Sequence, residues 1–369
     1  MIKASINGFG RIGRIALRIA TLKHKDELQI VAVNTPGSMD IDGWAHLFKH
    51  DTTYREFPGE VSFRKIQDAK SATDENPEIG LLVINGQEIP VLAQRDPEKL
   101  PWKKYAVDIV IECTGAFVDH DGAMKHAKAG ANRVVISAPA KGENVGTYVL
   151  GVNEYSGEGE VLSNASCTTN CIAPVAAVLQ AKFGIEKAMM TTVHSYTDDQ
   201  NLQDNSHKDL RRARAAAMNI VPTTTGAAIA TTVTIPALKD LFDGVAIRTP
   251  VITGSLTDFV FVVKKDVTVE EVNASFKEAV TQPLYKGILA ITEEPLVSSD
   301  IIGRSESAIV DIGLTQVVGG NLVKVLAWYD NEWGYANRLV EQVVRVGGKL
   351  HETEAPTDEI TKQFLALPA

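Results

Sequence analysis

Ser166-Cys167-Thr168-Thr169-Asn170-Cys171 places a thiol among hydroxyl and amide groups, after the short apolar run Val161-Leu162 and Ser163-Asn164-Ala165. A thiolate there can act as a nucleophile, and the hydroxyls beside it can hold an anion. Attack on an aldehyde gives a hemithioacetal whose C–H can leave as hydride; the product is a thioester, open to water or phosphate. Such chemistry needs a hydride acceptor and a base. Without them Cys167 is one more small buried residue. A helix beginning near Thr168 would set Cys167 at a helix N-terminus, which lowers a thiol pKa, with Pro174 to be accommodated early in that helix.

The chain has eight histidines. His194 ends the strand-like run Met189-Met190-Thr191-Thr192-Val193, and a side chain at a strand tip can enter a cleft; a satisfied structural histidine is the competing reading. His46, His50, His126 and His207 fall in helical or loop stretches without such a context. Cys113, inside an apolar strand, reads as core. Cys171 lies one helical turn from Cys167, but no second cluster completes tetrahedral ligation, so no metal is expected.

For the hydride acceptor, Gly8-Phe9-Gly10-Arg11-Ile12-Gly13 is G-x-G-x-x-G between a strand and a helix, the context in which the pattern binds a dinucleotide. The first glycine allows the tight turn. The second admits a pyrophosphate to the backbone, where the helix N-terminus offers N–H groups. An acidic residue about 20 positions on normally accepts from the ribose 2′-hydroxyl. Here the second strand ends at Asn34-Thr35, and Asp40 and Asp42 lie further along. Without a carboxylate, a 2′-phosphate is not repelled, and Thr35 and Ser38 are candidate donors to it. The expectation is NADP, alone or alongside NAD; NAD held through backbone contacts is the alternative.

The elements that must position these groups divide the chain. Ala4–Asn7, Leu28–Asn34, Asp108–Cys113 and Arg133–Ser137 read as strands, with helices at Ile12–Leu22 and Gly122–Ala129. This alternation predicts an α/β, doubly wound Rossmann domain over residues 1–166. Residues 167–333 carry longer strand candidates at 189–196, 244–247, 255–264, 309–310 and 322–329. A helix over 269–280, begun by Thr268, lies among them, so an α+β domain on a mixed or antiparallel sheet is expected. A helix over 334–350 would pack back on the first domain, followed by a charged tail at 351–369. Gln67–Gly80 reads as a solvated loop or hairpin insertion.

With 369 residues, 44% hydrophobic and 22% charged, the composition is that of a soluble globular protein. A net charge of −9 argues against a general nucleic-acid binder. No apolar run reaches membrane-spanning length. Met1-Ile2-Lys3-Ala4 leads directly into a strand pattern, so no signal peptide is visible. Three cysteines are no disulfide framework and fit a reducing cytoplasm. In an acidic chain, Arg211-Arg212-Ala213-Arg214 is a local positive cluster suited to an anionic substrate; a solvated helix face is the bland alternative.

Several long motifs occur in one order: Asn7 to Arg14, Glu112-Cys113-Thr114-Gly115-Ala116-Phe117, Ser137-Ala138-Pro139, Ala165 to Cys171 and His194-Ser195-Tyr196-Thr197. Asp209 to Ala217, Pro222 to Ala228, and Trp328 to Tyr335 follow. In these the chain resembles the phosphorylating glyceraldehyde-3-phosphate dehydrogenases over nearly its whole length. The resemblance implies reversible oxidation and phosphorylation of glyceraldehyde 3-phosphate to 1,3-bisphosphoglycerate, with NAD or NADP. Cys167 would be the nucleophile and His194 its base. Asn331 would orient the nicotinamide carboxamide, with Tyr335 nearby. Gly8, Phe9, Gly10, Arg11, Ile12, Asn34, Thr35, Arg95, Thr114, Phe117 and Ser137 would line the cofactor site. Ser166, Thr168, Thr225 and Gly226 match the inorganic-phosphate side, and Thr197 and Arg248 the substrate-phosphate side. One of Arg211 and Arg212 serves the anion sites, with Arg211 favoured. The family is usually a homotetramer, and Tyr196–Val221 matches the loop that reaches towards a neighbour's cofactor.

The chain departs from the family pattern at several places, the Gln67–Gly80 insertion and the tail after Lys349 among them. Thr35 replaces the usual aspartate. Asn205-Ser206 stands where NAD-specific members carry Leu-Pro, and Ser206 resembles NADP-using photosynthetic members. Ile229 replaces a common lysine. The competing enzyme is erythrose-4-phosphate dehydrogenase, a close relative that releases an acid. A non-catalytic NAD(P)-binding regulator on the same fold would lack the nucleophile or the base, and both are present here.

Overall fold

The computed structural model describes residues 1–354. Its first part runs β1 (Ile2–Asn7), α1 (Arg11–Lys23), β2 (Leu28–Thr35), α2 (Ile41–Lys49), the short pair β3 (His50–Asp51) and β4 (Arg55–Glu56), β5 (Val61–Lys65), β6 (Glu78–Ile84) and β7 (Gln87–Ala93). Then come β8 (Ile109–Glu112), α3 (His120–Lys128), β9 (Arg133–Ile136), β10 (Gly146–Thr147) and β11 (Val161–Ser163). The second part runs α4 (Cys167–Phe183), β12 (Ile185–Ser195), β13 (Val221–Thr224), α5 (Ala227–Thr234), β14 (Phe242–Thr249), β15 (Ser255–Val263) and α6 (Val269–Ala279). It ends with β16 (Leu289–Thr292), β17 (Ala308–Asp311), β18 (Gln316–Val318), β19 (Leu322–Tyr329) and α7 (Trp333–Glu354).

The first sheet has the order β10-β11-β9-β8-β1-β2-β7-β6-β5 and is parallel from β10 to β7. Its inner strands are largely apolar because helices cover both faces; Ile109, Val110 and Ile111 are all fully buried. The chain order reverses between β1 and β8, and ligands of such sheets bind outside the strand ends at that switch point. β6 and β5 add an antiparallel edge. The second sheet, β13-β14-β12-β15-β19-β17-β16, mixes parallel and antiparallel pairs. On β19 burial alternates residue by residue, as on a strand with one covered face.

Two expectations shift. Residues 67–77 form a connection with a single 3-10 turn at Ala69–Ser71, but Glu78-Ile79-Gly80 opens β6 instead of closing a loop. Asn85 and Gly86, both at positive φ, close the β6–β7 hairpin in the left-handed conformations such tight turns require. The connection is not merely solvated: Ala69 N–H donates to Asp40 at 2.7 Å, and Asp74 accepts from Gln94 Nε2 at 2.9 Å. The last helix is longer than expected at both ends, reaching Glu354, while residues 355–369 of the expected tail lie outside the described residues. It packs against α1, and its Ala336, Leu339, Val340, Val343 and Val346 join the core of the first sheet.

Candidate active site

Helix α4 starts at Cys167, and Ser166 caps it: its hydroxyl accepts from Thr169 N–H at 3.0 Å. Ala165, just before the cap, takes a left-handed φ of 56°, unfavourable for a residue with a Cβ. The surroundings hold it there. Its N–H donates to Ser163 Oγ at 2.9 Å, and its carbonyl accepts from Tyr335 Oη at 3.0 Å. Pro174 falls mid-helix, where every residue from Thr168 to Ala176 is buried. The Cys167 side chain is half-buried and touches both main apolar cores, one under each sheet.

His194, one residue from the end of β12, brings Nε2 to 3.5 Å from Cys167 Sγ. Its Nδ1 is 2.6 Å from Ser195 O. A proton on Nδ1 donates to that carbonyl and leaves Nε2 as the acceptor facing the thiol; the tautomer is assigned from this geometry. The β12–β14 pairing puts Arg248 directly beside His194. Arg248 Nη1 lies 2.5 Å from Nδ1 and 3.2 Å from Ser195 O, so two donors crowd one carbonyl. Burial, with the charge of Arg248 adding to it, pushes the imidazole down to about 3. Burial also pushes the Cys167 thiol up, and Arg248 opposes that shift. Both shifts favour the uncharged forms, a thiol beside a neutral imidazole.

Tyr329 escapes the sequence reading. Its buried hydroxyl lies 2.9 Å from both Thr168 Oγ1 and Thr192 Oγ1, and its ring stands edge-on to His194 at 6.0 Å between centroids. It thus ties the start of α4 to β12. The signal was available: Tyr329 falls within the Trp328–Tyr335 motif, at the tip of a half-covered strand.

The expected anion residues differ in how they are held. Arg248 Nε is buried without a hydrogen-bond partner, so a donor of this guanidinium remains for an oxygen anion. Arg212 donates to Thr223 Oγ1 at 2.9 Å and to Thr224 O at 3.0 Å, pairs with Asp199, and its charge acts on both His194 and Arg248. Arg211, the expected member of the pair, is exposed and reaches only Pro222 O at 3.4 Å. The geometry favours Arg212. Gly226 begins α5, and a Cβ built on it meets nothing within 4 Å, while Thr225 Oγ1 accepts from Ala227 N–H at 3.2 Å. Thr197 is half-buried beside Arg11 in a small cavity that also holds Gln200 and Glu332.

At the cofactor end, Gly8 has φ +97°, and a Cβ there would come within 2.7 Å of Thr114 N; a Cβ on Gly13 would come within 2.1 Å of Gly8 O. Gly10, at the start of α1, has open space around it. This is the division of labour a pyrophosphate-binding turn needs. Asn331 Oδ1 accepts from Ser255 Oγ at 2.9 Å, Thr253 Oγ1 at 3.2 Å and Gly254 N at 3.2 Å. Its amide orientation is thereby fixed, with the NH2 left for a ligand. Ser137 Oγ donates to Tyr335 Oη at 3.2 Å. Thr114 and Arg95 are exposed at strand ends, and Phe117 and Ile12 are half-buried.

Several of these residues behave otherwise than expected. The Phe9 side chain lies in the core against Trp44 and Phe48, leaving only its backbone to the turn. The Arg11 guanidinium spans Asp51 and Glu332; burial disfavours its charge, but these two carboxylates outweigh that and hold it charged. Asn34 is buried between Asn7 and Gln94. The Thr35 hydroxyl donates to Leu92 O at 3.0 Å, so it points into the sheet end, whereas Ser38 is exposed. Asp40 is taken by Lys65 Nζ at 2.8 Å and Ala69 N–H. Ser206 is exposed on the 196–220 loop, with no hydrogen bond to the Thr35 region among the described residues.

Among the described residues no group of three or more His, Cys, Asp or Glu side chains could hold a metal ion, and no helix is long and apolar enough to cross a membrane. The family profile described as "Glyceraldehyde 3-phosphate dehydrogenase, NAD binding domain" matches residues 2–120, and "Glyceraldehyde 3-phosphate dehydrogenase, C-terminal domain" matches 166–331. Glyceraldehyde-3-phosphate dehydrogenase of Streptomyces coelicolor is 50% identical over 95% of this chain and 99% of its own length. The chloroplastic glyceraldehyde-3-phosphate dehydrogenase A of Chlamydomonas reinhardtii is 48% identical over 92% and 87%, and glyceraldehyde-3-phosphate dehydrogenase 2 of Bacillus subtilis 47% over 96% and 99%.

Proposed function

The chain belongs to the glyceraldehyde 3-phosphate dehydrogenase family, and from that premise we propose how its own residues carry the reaction. The enzyme oxidises and phosphorylates glyceraldehyde 3-phosphate, with inorganic phosphate as second substrate; the erythrose-4-phosphate alternative finds no support among these relatives. A bound nicotinamide dinucleotide supplies the hydride acceptor, and the open space at Gly10 and the Asn331 NH2, held outward by the three bonds to its oxygen, suit one. Cys167 Sγ attacks the aldehyde carbon as His194 Nε2 takes the thiol proton. The imidazolium returns that proton to the oxygen of the hemithioacetal, and the neutral imidazole takes it back from the hydroxyl as that carbon reaches the thioester level. A phosphate oxygen then attacks the thioester carbonyl and the thiolate leaves. Arg248, Thr197 and Arg212 hold the anions on one side. Ser166, Thr168, Thr225 and Gly226 hold them on the other, where two helix N-termini favour negative charge.

The observation that carries this reading is the 3.5 Å approach of Cys167 and His194 beside the unsatisfied Arg248 Nε. The test is NAD(P)H formation from glyceraldehyde 3-phosphate, with and without phosphate. Turnover should require phosphate and be abolished by Cys167→Ser; full activity in that variant refutes the thioester route. Within the same reading, residues 1–166 with α7 form the cofactor half and 167–333 the substrate half. NADP is accepted because no free carboxylate stands at the end of β2, a view that a large NAD preference in kcat/KM would overturn. A homotetramer and a cytoplasmic setting complete it.

A further inference from the structure

Three strands of the first sheet end in buried polar side chains at matched register: Asn34 on β2, Asn7 on β1 and Glu112 on β8. Polar groups are expensive to bury unless each finds a partner, and here each does. Asn34 Nδ2 donates to Asn7 Oδ1 at 2.7 Å, and Asn7 Nδ2 donates to Glu112 Oε2 at 2.5 Å. On the other side Trp102 Nε1–H donates to His126 Nδ1 at 2.9 Å. With Nδ1 accepting, the His126 proton sits on Nε2, which lies 3.0 Å from Glu112 Oε2. Glu112 Oε1 accepts from Thr114 N–H at 2.7 Å and from the Thr114 hydroxyl. Glu112 thus accepts four hydrogen bonds, filling the capacity of a carboxylate. His126, which the sequence gave no reason to single out, is fully buried in this network.

The network joins the segments on which a dinucleotide must rest. Asn7 leads directly into the Gly8–Gly10 turn. Gly8 N–H donates to Asn34 O at 3.0 Å, and Cys113 N–H to Asn7 O at 2.7 Å. Thr114 in turn abuts Gly8 so closely that a single added carbon at Gly8 would collide with it. We propose that Glu112, oriented by His126 and Trp102, is a positioning residue for the cofactor: it sets the Thr114 turn against the glycine turn without touching the ligand. The bond directions make the role specific. A glutamine amide at position 112 must point its NH2 either at the Thr114 N–H, whose neighbouring hydroxyl can turn to accept from it, or at the Asn7–His126 pair of donors, so in each orientation at least one buried donor loses its acceptor.

This rests on the cofactor placement proposed above. The test is the full-length Glu112→Gln enzyme, with NADH and NADPH titrated by fluorescence, KM and kcat measured with both cofactors, and the rate of Cys167 alkylation by iodoacetamide followed without cofactor. One buried donor left unpaired should weaken cofactor binding by about tenfold or more, with kcat at saturating cofactor and the alkylation rate close to wild type. Trp102→Phe, which removes the donor to His126 together with part of a buried ring, should give a smaller loss of about threefold in the same direction, and it serves if Glu112→Gln does not fold. Wild-type cofactor affinity in a folded variant overturns the inference, as does a parallel fall in kcat, affinity and alkylation rate. Failure of the wild-type enzyme to bind either cofactor would instead overturn the placement itself.

Discussion

Arg248 acts on both members of the thiol–imidazole pair in the same direction. Its charge favours the thiolate of Cys167 and disfavours the imidazolium of His194. Replacing it by methionine should therefore raise both pKa values. Alkylation of Cys167 by the neutral reagent iodoacetamide, followed against pH without substrate, should show a midpoint displaced to higher pH in Arg248→Met. An unchanged or lower midpoint would remove Arg248 from the role of local counter-charge. Residue types and spacing singled out Cys167 near a helix start and His194 at a strand tip, because these are local features; Ser166 as the cap of that helix was not read. The choice between Arg211 and Arg212 was not readable. It depends on how Thr223, Thr224 and Asp199 converge on one guanidinium, and those groups lie on different elements.

Elements set which side chains remain available to a ligand. The loop after β2 carries Asp40, one of the two carboxylates that follow Thr35, and Lys65 with the 67–77 connection occupies it. Asp40→Asn should consequently leave the ratio of kcat/KM for NADP and NAD within about twofold, since an exposed ion pair contributes little; a marked shift towards NADP would show that Asp40 reaches the cofactor. Helix α6 was legible to the residue at its start, where Thr268 and Glu271 form a reciprocal cap. The β6–β7 hairpin went unread although Asn85-Gly86 is a tight-turn signal, and Pro90 within β7 lacks the N–H of a regular ladder. The inward turn of the Thr35 hydroxyl could not be foreseen, because its acceptor, Leu92 O, belongs to a strand 57 positions away.

At the scale of the whole molecule, the second sheet leaves apolar side chains uncovered. Met189, Ile229, Val233 and Val245 are 60%, 65%, 58% and 48% exposed, and Leu202, Leu210 and Met218 on the 196–220 loop are each over 80% exposed. Exposed apolar area of this extent suits contact between copies of the chain, as the proposed tetramer requires. Ile229, where the family commonly has lysine, lines an apolar groove with Met189 and Val233. Light scattering after size exclusion should give four times the 39.9 kDa chain mass, and Ile229→Glu should shift the assembly to smaller species; a monomeric wild type would refute the tetramer.

Cys167 touches the core beneath each sheet. Were that shared point the pivot between the two packed bodies, displacement in a rotation would grow with distance from it. If the cofactor half tilts against the substrate half, the rims sweep through the largest arcs while the sulfur barely moves. The cleft can then open for exchange of a bulky dinucleotide without losing the alignment of its nucleophile, and steric access is separated from chemical register by leverage alone.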